Sequence, residues 1–266
     1  MIIRRKLLLL TRQTRPSISK GILKMSTEGK MKYPDGNYVF YKQRKGIQSK
    51  PGIIFCSGYE SNLNGNKAQY LDNYCNERSL SYMRFDYFGH AYSSGKLVEA
   101  TLSQWKQNFI DVLDKLTTGP QIVVGSSIGG WVSILGAIER PDRIHSLVSI
   151  ANATDLMSHR YNDKLESIKQ VGCYTDPRYG ITIGYEFIID TVKNTLLDSK
   201  NKIPIHCPVR LLHGMADDVV PYQNSLKIAE KVASDDVLVQ LVKNGDHRMS
   251  TMENLTMLSR TLDDLL

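Results

Sequence analysis

The sequence is poor in cysteine, with four in 266 residues: Cys56, Cys75, Cys173 and Cys207. No pair is spaced as Cys-x-x-Cys, and no Cys/His group has zinc-ligand spacing. A disulfide-built scaffold and a zinc finger are therefore excluded. Free, partly buried thiols are expected, which suit a reducing compartment. Long apolar runs are also missing. The run at residues 7–10 is too short to span a bilayer and short for the core of a secretory signal, so no stable membrane span is expected. Beyond the N-terminal leader there is no internal repeat and no low-complexity stretch, which argues against a solenoid or a disordered linker.

Acids are absent from one region only. Residues 1–27 carry Arg4, Arg5, Lys6, Arg12, Arg15, Lys20 and Lys24, and the first carboxylate is Glu28. Setting those 7 aside leaves 27 of the 34 Lys and Arg against 27 Asp and Glu, so the body is formally neutral. The net charge of +7 belongs to the leader and gives no support to nucleic-acid binding. The leader also holds Thr11, Thr14, Ser17, Ser19 and Ser26. A basic, hydroxyl-rich, acid-free segment has the make-up of a mitochondrial transit peptide. A secretory signal and an unprocessed tail are the alternatives. Residues 1–27 are thus expected to be a transit peptide, and 28–266 one domain with room for a full core.

What the body does contain is organised around Gln121-Ile122-Val123-Val124-Gly125-Ser126-Ser127-Ile128-Gly129-Gly130-Trp131. Residues of high β-propensity run into Gly-x-Ser-x-Gly, and an apolar helical pattern follows, which is the context a nucleophile elbow requires. So tight a turn tolerates no bulk two residues before or after the serine, and Gly125 and Gly129 meet that need. Ser127 is the candidate nucleophile. The helix N-terminus behind it offers unpaired N–H groups to an oxyanion.

The rest of the chain alternates. Strands are expected at 38–42, 52–56, 82–86, 144–150, 209–212 and 237–242. Helices are expected at about 67–78, 101–116, 128–139, 225–232 and from about 251 onward. Such alternation implies a mostly parallel central sheet with helices on both faces, and ligands at the carboxyl ends of its strands. Residues 155–200 are irregular and rich in scattered aromatics. They read as a small cap insertion over the nucleophile.

A serine hydroxyl needs a base, and the base needs an orienting acid. After the 209–212 strand comes His213-Gly214-Met215-Ala216-Asp217-Asp218, where Asp217 and Asp218 compete for the acid's role. After the last strand comes Asp246-His247-Arg248, and His247 stands where the base belongs. His213 sits ahead of the acid and reads as a loop brace. His90 lies near the expected site mouth as a possible substrate contact. Arg160 and Arg178 are weak candidates for gripping an anionic leaving group.

Taken together, Gly65-Asn66-Lys67-Ala68, Arg84-Phe85-Asp86-Tyr87, the elbow, Arg210-Leu211-Leu212-His213-Gly214-Met215 and Asp246-His247-Arg248-Met249 resemble one subgroup of the α/β-hydrolases. That subgroup comprises mitochondrial palmitoyl-protein thioesterases that are also acyl-glucuronide esterases, and the resemblance runs over about residues 33–266. It implies the α/β-hydrolase fold with Ser127, Asp217 and His247 as the catalytic triad. The backbone N–H groups of Ile128 and Tyr59 are expected to form the oxyanion hole. It implies acyl esters and S-acylated proteins as substrates, with no metal and no cofactor. Two positions depart from common hydrolase patterns. Ser57-Gly58-Tyr59 stands where His-Gly-aromatic is frequent, and Ala91 replaces a glycine in the loop after Asp86. Other ester or lipid substrates, and a non-catalytic binding protein on the same fold, are the rival readings.

Overall fold

The computed structural model describes residues 26–47 and 49–266. The leader lies outside them except for Ser26 and Thr27, and Thr27 already opens the first strand. Among the described residues a single large sheet runs through the molecule, flanked by helices. In chain order the elements are β1 (Thr27–Lys32), β2 (Tyr38–Arg44), β3 (Gly52–Cys56), α1 (Asn66–Glu77), β4 (Tyr82–Phe85), α2 (Leu102–Leu116), β5 (Gln121–Ser126), α3 (Ile128–Glu139) and β6 (Ile144–Ile150). Then come α4 (Leu156–Tyr161), α5 (Leu165–Val171), β7 (Cys173–Thr175), β8 (Thr182–Gly184), α6 (Tyr185–Lys193), β9 (Val209–Gly214), α7 (Gln223–Lys231), β10 (Val237–Val242) and α8 (Met252–Asp263).

The sheet order is β1-β2-β4-β3-β5-β6-β9-β10. β1 and β2 form an antiparallel hairpin around the Asp35-Gly36 turn, β2 meets β4 antiparallel, and every later pair is parallel. The inner strands β3, β4, β5 and β9 are buried along their whole length. That is why they read as near-continuous apolar runs, since both faces meet helices. Leu71, Tyr74 and Cys75 of α1 and Leu258 and Leu262 of α8 pack on one face. Trp105, Phe109 and Leu113 of α2, Trp131 of α3 and Ile228 of α7 pack on the other. α3 is apolar all round, and the sheet and α2 enclose it. α2 starts where Thr101 accepts from the Gln104 N–H at 3.1 Å, a side-chain N-cap.

Asp86 explains why the segment after β4 carries so specific a sequence. Its carboxylate accepts from the Leu63 N–H at 2.7 Å and the Tyr92 N–H at 3.2 Å, tying together the loops after β3 and β4. Arg84 beside it donates to the Leu63 carbonyl at 2.8 Å and to Asp72 at 2.9 Å. Ala91 sits at φ 21°, where a glycine would be at ease. The Asp86 bonds hold the loop in spite of that.

The 155–200 segment is more regular than its sequence suggests. It folds as α4, α5, the β7–β8 hairpin and α6. Asp155 closes its base by accepting from the Leu196 and Leu197 N–H groups. Inside, Asp176 accepts from the Tyr161 hydroxyl at 2.9 Å. No helix among the described residues is long and apolar enough to cross a membrane.

Candidate active site

The site is assembled at the carboxyl ends of β3, β5, β9 and β10. β5 delivers Ser127 into the turn before α3 with φ 55° and ψ −122°, a backbone conformation costly for any residue but glycine. The turn is pinned on both sides. The Ser127 N–H donates to the Ile150 carbonyl at 2.8 Å, and its own carbonyl accepts from Gly130 and Ala153. The two elbow glycines are steric necessities. A Cβ on Gly129 would lie 2.2 Å from the Cys56 carbonyl oxygen, and one on Gly125 would lie 2.6 Å from the Gly129 oxygen. Packing of α3 against β3 and β5 leaves no room to relieve either clash.

His247 Nε2 lies 3.2 Å from Ser127 Oγ, and His247 Nδ1 lies 2.8 Å from Asp217 Oδ2. Asp217 is heavily committed. Its Oδ1 accepts from the Val219 and Val220 N–H groups at 2.8 and 2.7 Å, and its Oδ2 also meets His213 Nε2 at 3.1 Å. Burial alone would raise the Asp217 carboxyl, but the hydrogen bonds from His213 and His247 outweigh it and hold the group well below the usual carboxylate range. It is therefore an anion at neutral pH. Asp218 is exposed, and its backbone carbonyl instead accepts from the Tyr179 hydroxyl at 2.8 Å.

His213 braces the acid loop. Its Nε2 faces the Val220 carbonyl at 3.0 Å, which can only accept, so in the neutral ring Nε2 carries the proton and Nδ1 accepts from Ser225 at 2.7 Å. The Ser57-Gly58-Tyr59 loop passes beside Ser127, and a Cβ on Gly58 would stand 3.4 Å from Ser127 Cβ. The loop that leads into Tyr59 thus lies against the turn from which Ile128 opens α3.

Two contacts were not legible in the sequence. Lys67 donates through Nζ to the Arg248 carbonyl at 2.5 Å, clamping the loop immediately after His247. Burial lowers this amine to about 8, with Asp246 acting against the shift. Tyr59 ties the site to the 155–200 segment, as its hydroxyl donates to the Thr182 carbonyl of β8 at 2.8 Å and its ring packs against Trp105 and Phe187. The only sequence hint was a Lys and a Tyr inside otherwise small and polar loop motifs.

Two expectations are revised, those for His90 and Arg178. His90 does not line a mouth. It is buried among Tyr59, Tyr87 and Trp105. Arg178 is exposed and already paired, with Nε and Nη2 both on Asp176, at 3.1 and 2.7 Å. Arg160 donates through Nη2 to the Val219 carbonyl of the acid loop, while its Nη1 is buried without a partner. It remains a cation with unspent donors.

Among the described residues, Asp155, His159 and Asp198 have donor atoms close enough together to hold a metal ion. The carboxylate of Asp155 is already spent on two backbone N–H groups, and His159 pairs with Asp198 at 2.7 Å. The chemistry described below uses none of them.

The buried His90 gives the fold a specific acid weakness. Neither ring nitrogen meets hydrogen-bond geometry with a protein partner, and burial lowers the ring to about 4, the nearby backbone of Phe88 and Gly58 offsetting this only in part. The unfolded ring titrates near 6.5. Between those values the unfolded chain takes up a proton that the folded chain refuses, so stability is lost as pH falls from about 6.5 to about 4. The loss amounts to about 2 kcal/mol between pH 7 and pH 5. Urea unfolding of wild type and His90→Gln at both pH values checks this. The variant's drop should be smaller by about that amount, and equal drops would remove His90 as the cause.

The prolyl oligopeptidase family matches over residues 73–264. A mouse protein named mitochondrial palmitoyl-protein thioesterase ABHD10 is 42% identical over 235 residues, covering 85% of this chain and 78% of the relative. The solved structure of α/β-hydrolase domain-containing protein 10 from mouse superposes with a TM-score of 0.84 at 40% identity, covering 90% of this chain and 98% of that one. A putative hydrolase from Agrobacterium vitis S4 superposes with a TM-score of 0.83 at 28% identity, covering 91% and 98%.

Proposed function

Because this chain belongs to the prolyl oligopeptidase family of α/β-hydrolases, and with it to the mitochondrial palmitoyl-protein thioesterases, we propose that it removes long acyl chains from thioesters through an acyl-enzyme on Ser127. It is a hydrolase and, like those relatives, mitochondrial. The observation that carries the mechanism is the relay of two hydrogen bonds from Ser127 through His247 to Asp217.

His247 takes the Ser127 proton as Oγ attacks the acyl carbonyl carbon. Asp217, an anion fixed by two backbone N–H groups and His213, holds the imidazole with Nε2 towards the serine and stabilises the imidazolium. The Ile128 and Tyr59 N–H groups receive the oxyanion. The thiolate leaves with the proton that His247 carries. Water then adds to the acyl-enzyme with His247 again as base, and the free acid departs.

The acyl chain is assigned to the 155–200 segment, a cap that touches both halves of the machinery. Tyr59 joins it to the oxyanion loop, and Arg160 and Tyr179 join it to the acid loop. Acyl glucuronides are the second substrate class, with Arg160 as the cation left to meet a carboxylate. The test is kcat/KM over acyl thioesters of rising chain length, alongside an acyl glucuronide, a simple ester and a peptide. Wild type should improve with chain length, and a folded variant with the cap shortened should lose that slope. An unchanged slope removes the cap as selector, and peptide cleavage without thioester turnover overturns the reading altogether.

A further inference from the structure

Two short motifs far apart in the chain meet beside the base. Gly65-Asn66-Lys67-Ala68 opens α1, and Asp246-His247-Arg248-Met249 carries His247 between β10 and α8. Lys67 stands where its own helix disfavours it. It is the second residue of α1, at the positive end of the helix dipole, and the first turn has neither an acid nor a side-chain cap to offset the charge. Burial disfavours the ammonium a second time. What compensates both lies outside the helix, in the loop of the base.

The near half of that loop is tied to the acid loop, where the Ala216 N–H donates to the Gly245 carbonyl at 3.0 Å. The far half bends against its own preference. Met249 has φ 45°, a left-handed conformation that favours glycine, and its side chain is buried. Its N–H is satisfied within the loop, by Asp246 Oδ1 at 2.8 Å. Among the described residues, the hydrogen bonds that reach residues 248–250 from outside the loop come from Lys67. They run to the Arg248 carbonyl at 2.5 Å and to Ser250 Oγ at 3.3 Å. Ser250 Oγ donates to the same carbonyl at 2.9 Å, so both groups converge one residue past His247.

We propose that Lys67 is a positioning residue for His247, holding the strained far half of the base loop so that the imidazole keeps its place between Ser127 and Asp217. The inference rests on His247 serving as the base of Ser127. In each half-reaction the ring gains a proton and gives it up, and it must do so without leaving its contacts at 3.2 Å to Ser127 Oγ and 2.8 Å to Asp217 Oδ2. A displacement of about 1 Å can cost about 100-fold in rate. Because His247 acts in acylation and deacylation alike, a misplaced ring slows both steps together. Their ratio, which sets KM for an acyl-enzyme, then hardly changes.

Kinetics on a chromogenic acyl ester test this, with thermal melts alongside. Lys67→Met keeps the stem and removes the donor. Its kcat should fall about 10- to 100-fold, with KM within about threefold of wild type. Lys67→Arg restores a cationic donor and should recover most of the rate. A lysine that only stabilised the fold would lower the melting temperature and leave kcat per folded molecule intact, and that result overturns the proposal. If Lys67→Met does not fold, pH decides between wild type and Lys67→Arg. Burial and Arg248 oppose the Lys67 ammonium and Asp246 favours it, so the charge is present below about pH 8 and lost above it. A neutral amine donates a weaker hydrogen bond than an ammonium. Wild-type kcat should therefore fall about threefold or more between about pH 7 and pH 9.5, while Lys67→Arg holds its rate. Parallel profiles overturn the proposal. His247→Ala is the reference: if it keeps its rate, the base is misassigned and the proposal falls with it. An inactive His247→Ala beside an unimpaired Lys67→Met removes Lys67 alone.

Discussion

Ser127→Ala should take up no fluorophosphonate probe, while wild type should be labelled at this serine. The expectation rests on the 3.2 Å contact between Ser127 Oγ and His247 Nε2, which the neighbouring Ser126, buried at the end of β5, does not share. His247→Ala should lower kcat by about 10⁴-fold or more, since a serine hydroxyl without a base is a poor nucleophile near neutral pH. The double variant should be scarcely worse than either single one, because the residues of a relay fail as a unit. Rate measurement with a chromogenic acyl ester and mass spectrometry of the labelled peptide check both points. A probe adduct on Ser126, or on any other serine in Ser127→Ala, would reassign the nucleophile.

Asp217→Asn should cost nearly as much, about 10⁴-fold in kcat by analogy with other triads, while Asp218→Asn stays within a few-fold of wild type. The reason lies in the partners. Asp217 receives His247 at 2.8 Å, His213 at 3.1 Å and two backbone N–H groups, four donors on one carboxylate. An asparagine offers only one acceptor atom to those four. It presents its NH₂ to one side, which forces His247 into the wrong tautomer or leaves the Val219 and Val220 N–H groups unpaired. A thermal melt separates the outcomes, because kcat should fall far further than any accompanying loss of stability would account for. The opposite ranking of the two aspartates would move the orienting role to Asp218.

The parts of this site that were legible in the sequence are those fixed by short-range geometry. Gly125 and Gly129 must lack a Cβ because the elbow places them against backbone, and that demand shows in five consecutive letters. Asp217 follows the buried strand β9 and His247 the last strand of the sheet, so a motif and a count of strands suffice to find them. The parallel sheet showed in unbroken apolar runs such as Gly52–Cys56. The insertion did not, because its elements are too brief for a period to register. β7 and β8 have three residues each, and α4 has six. What holds them is distant in sequence, such as Tyr59 on Thr182, 123 residues away. Lys67 was hidden for the same reason, since the carbonyl it holds lies 181 residues further on. The position of β3 between β4 and β5 depends on which crossovers fill the two faces, which no local pattern encodes.

The distance in sequence between Ser127 and His247, 120 residues, has a practical consequence. Neither residue is reactive alone, and no local segment contains both, so an unfolded or partly threaded chain has nothing for an electrophilic probe to find. Probe uptake therefore counts native molecules. In a urea titration the labelled fraction should follow the loss of tryptophan signal from Trp105 and Trp131 in the core, and labelling that outlasts that signal would break the correspondence. In a cell, the same reagent would distinguish chains that have reached their compartment and folded from those still in transit.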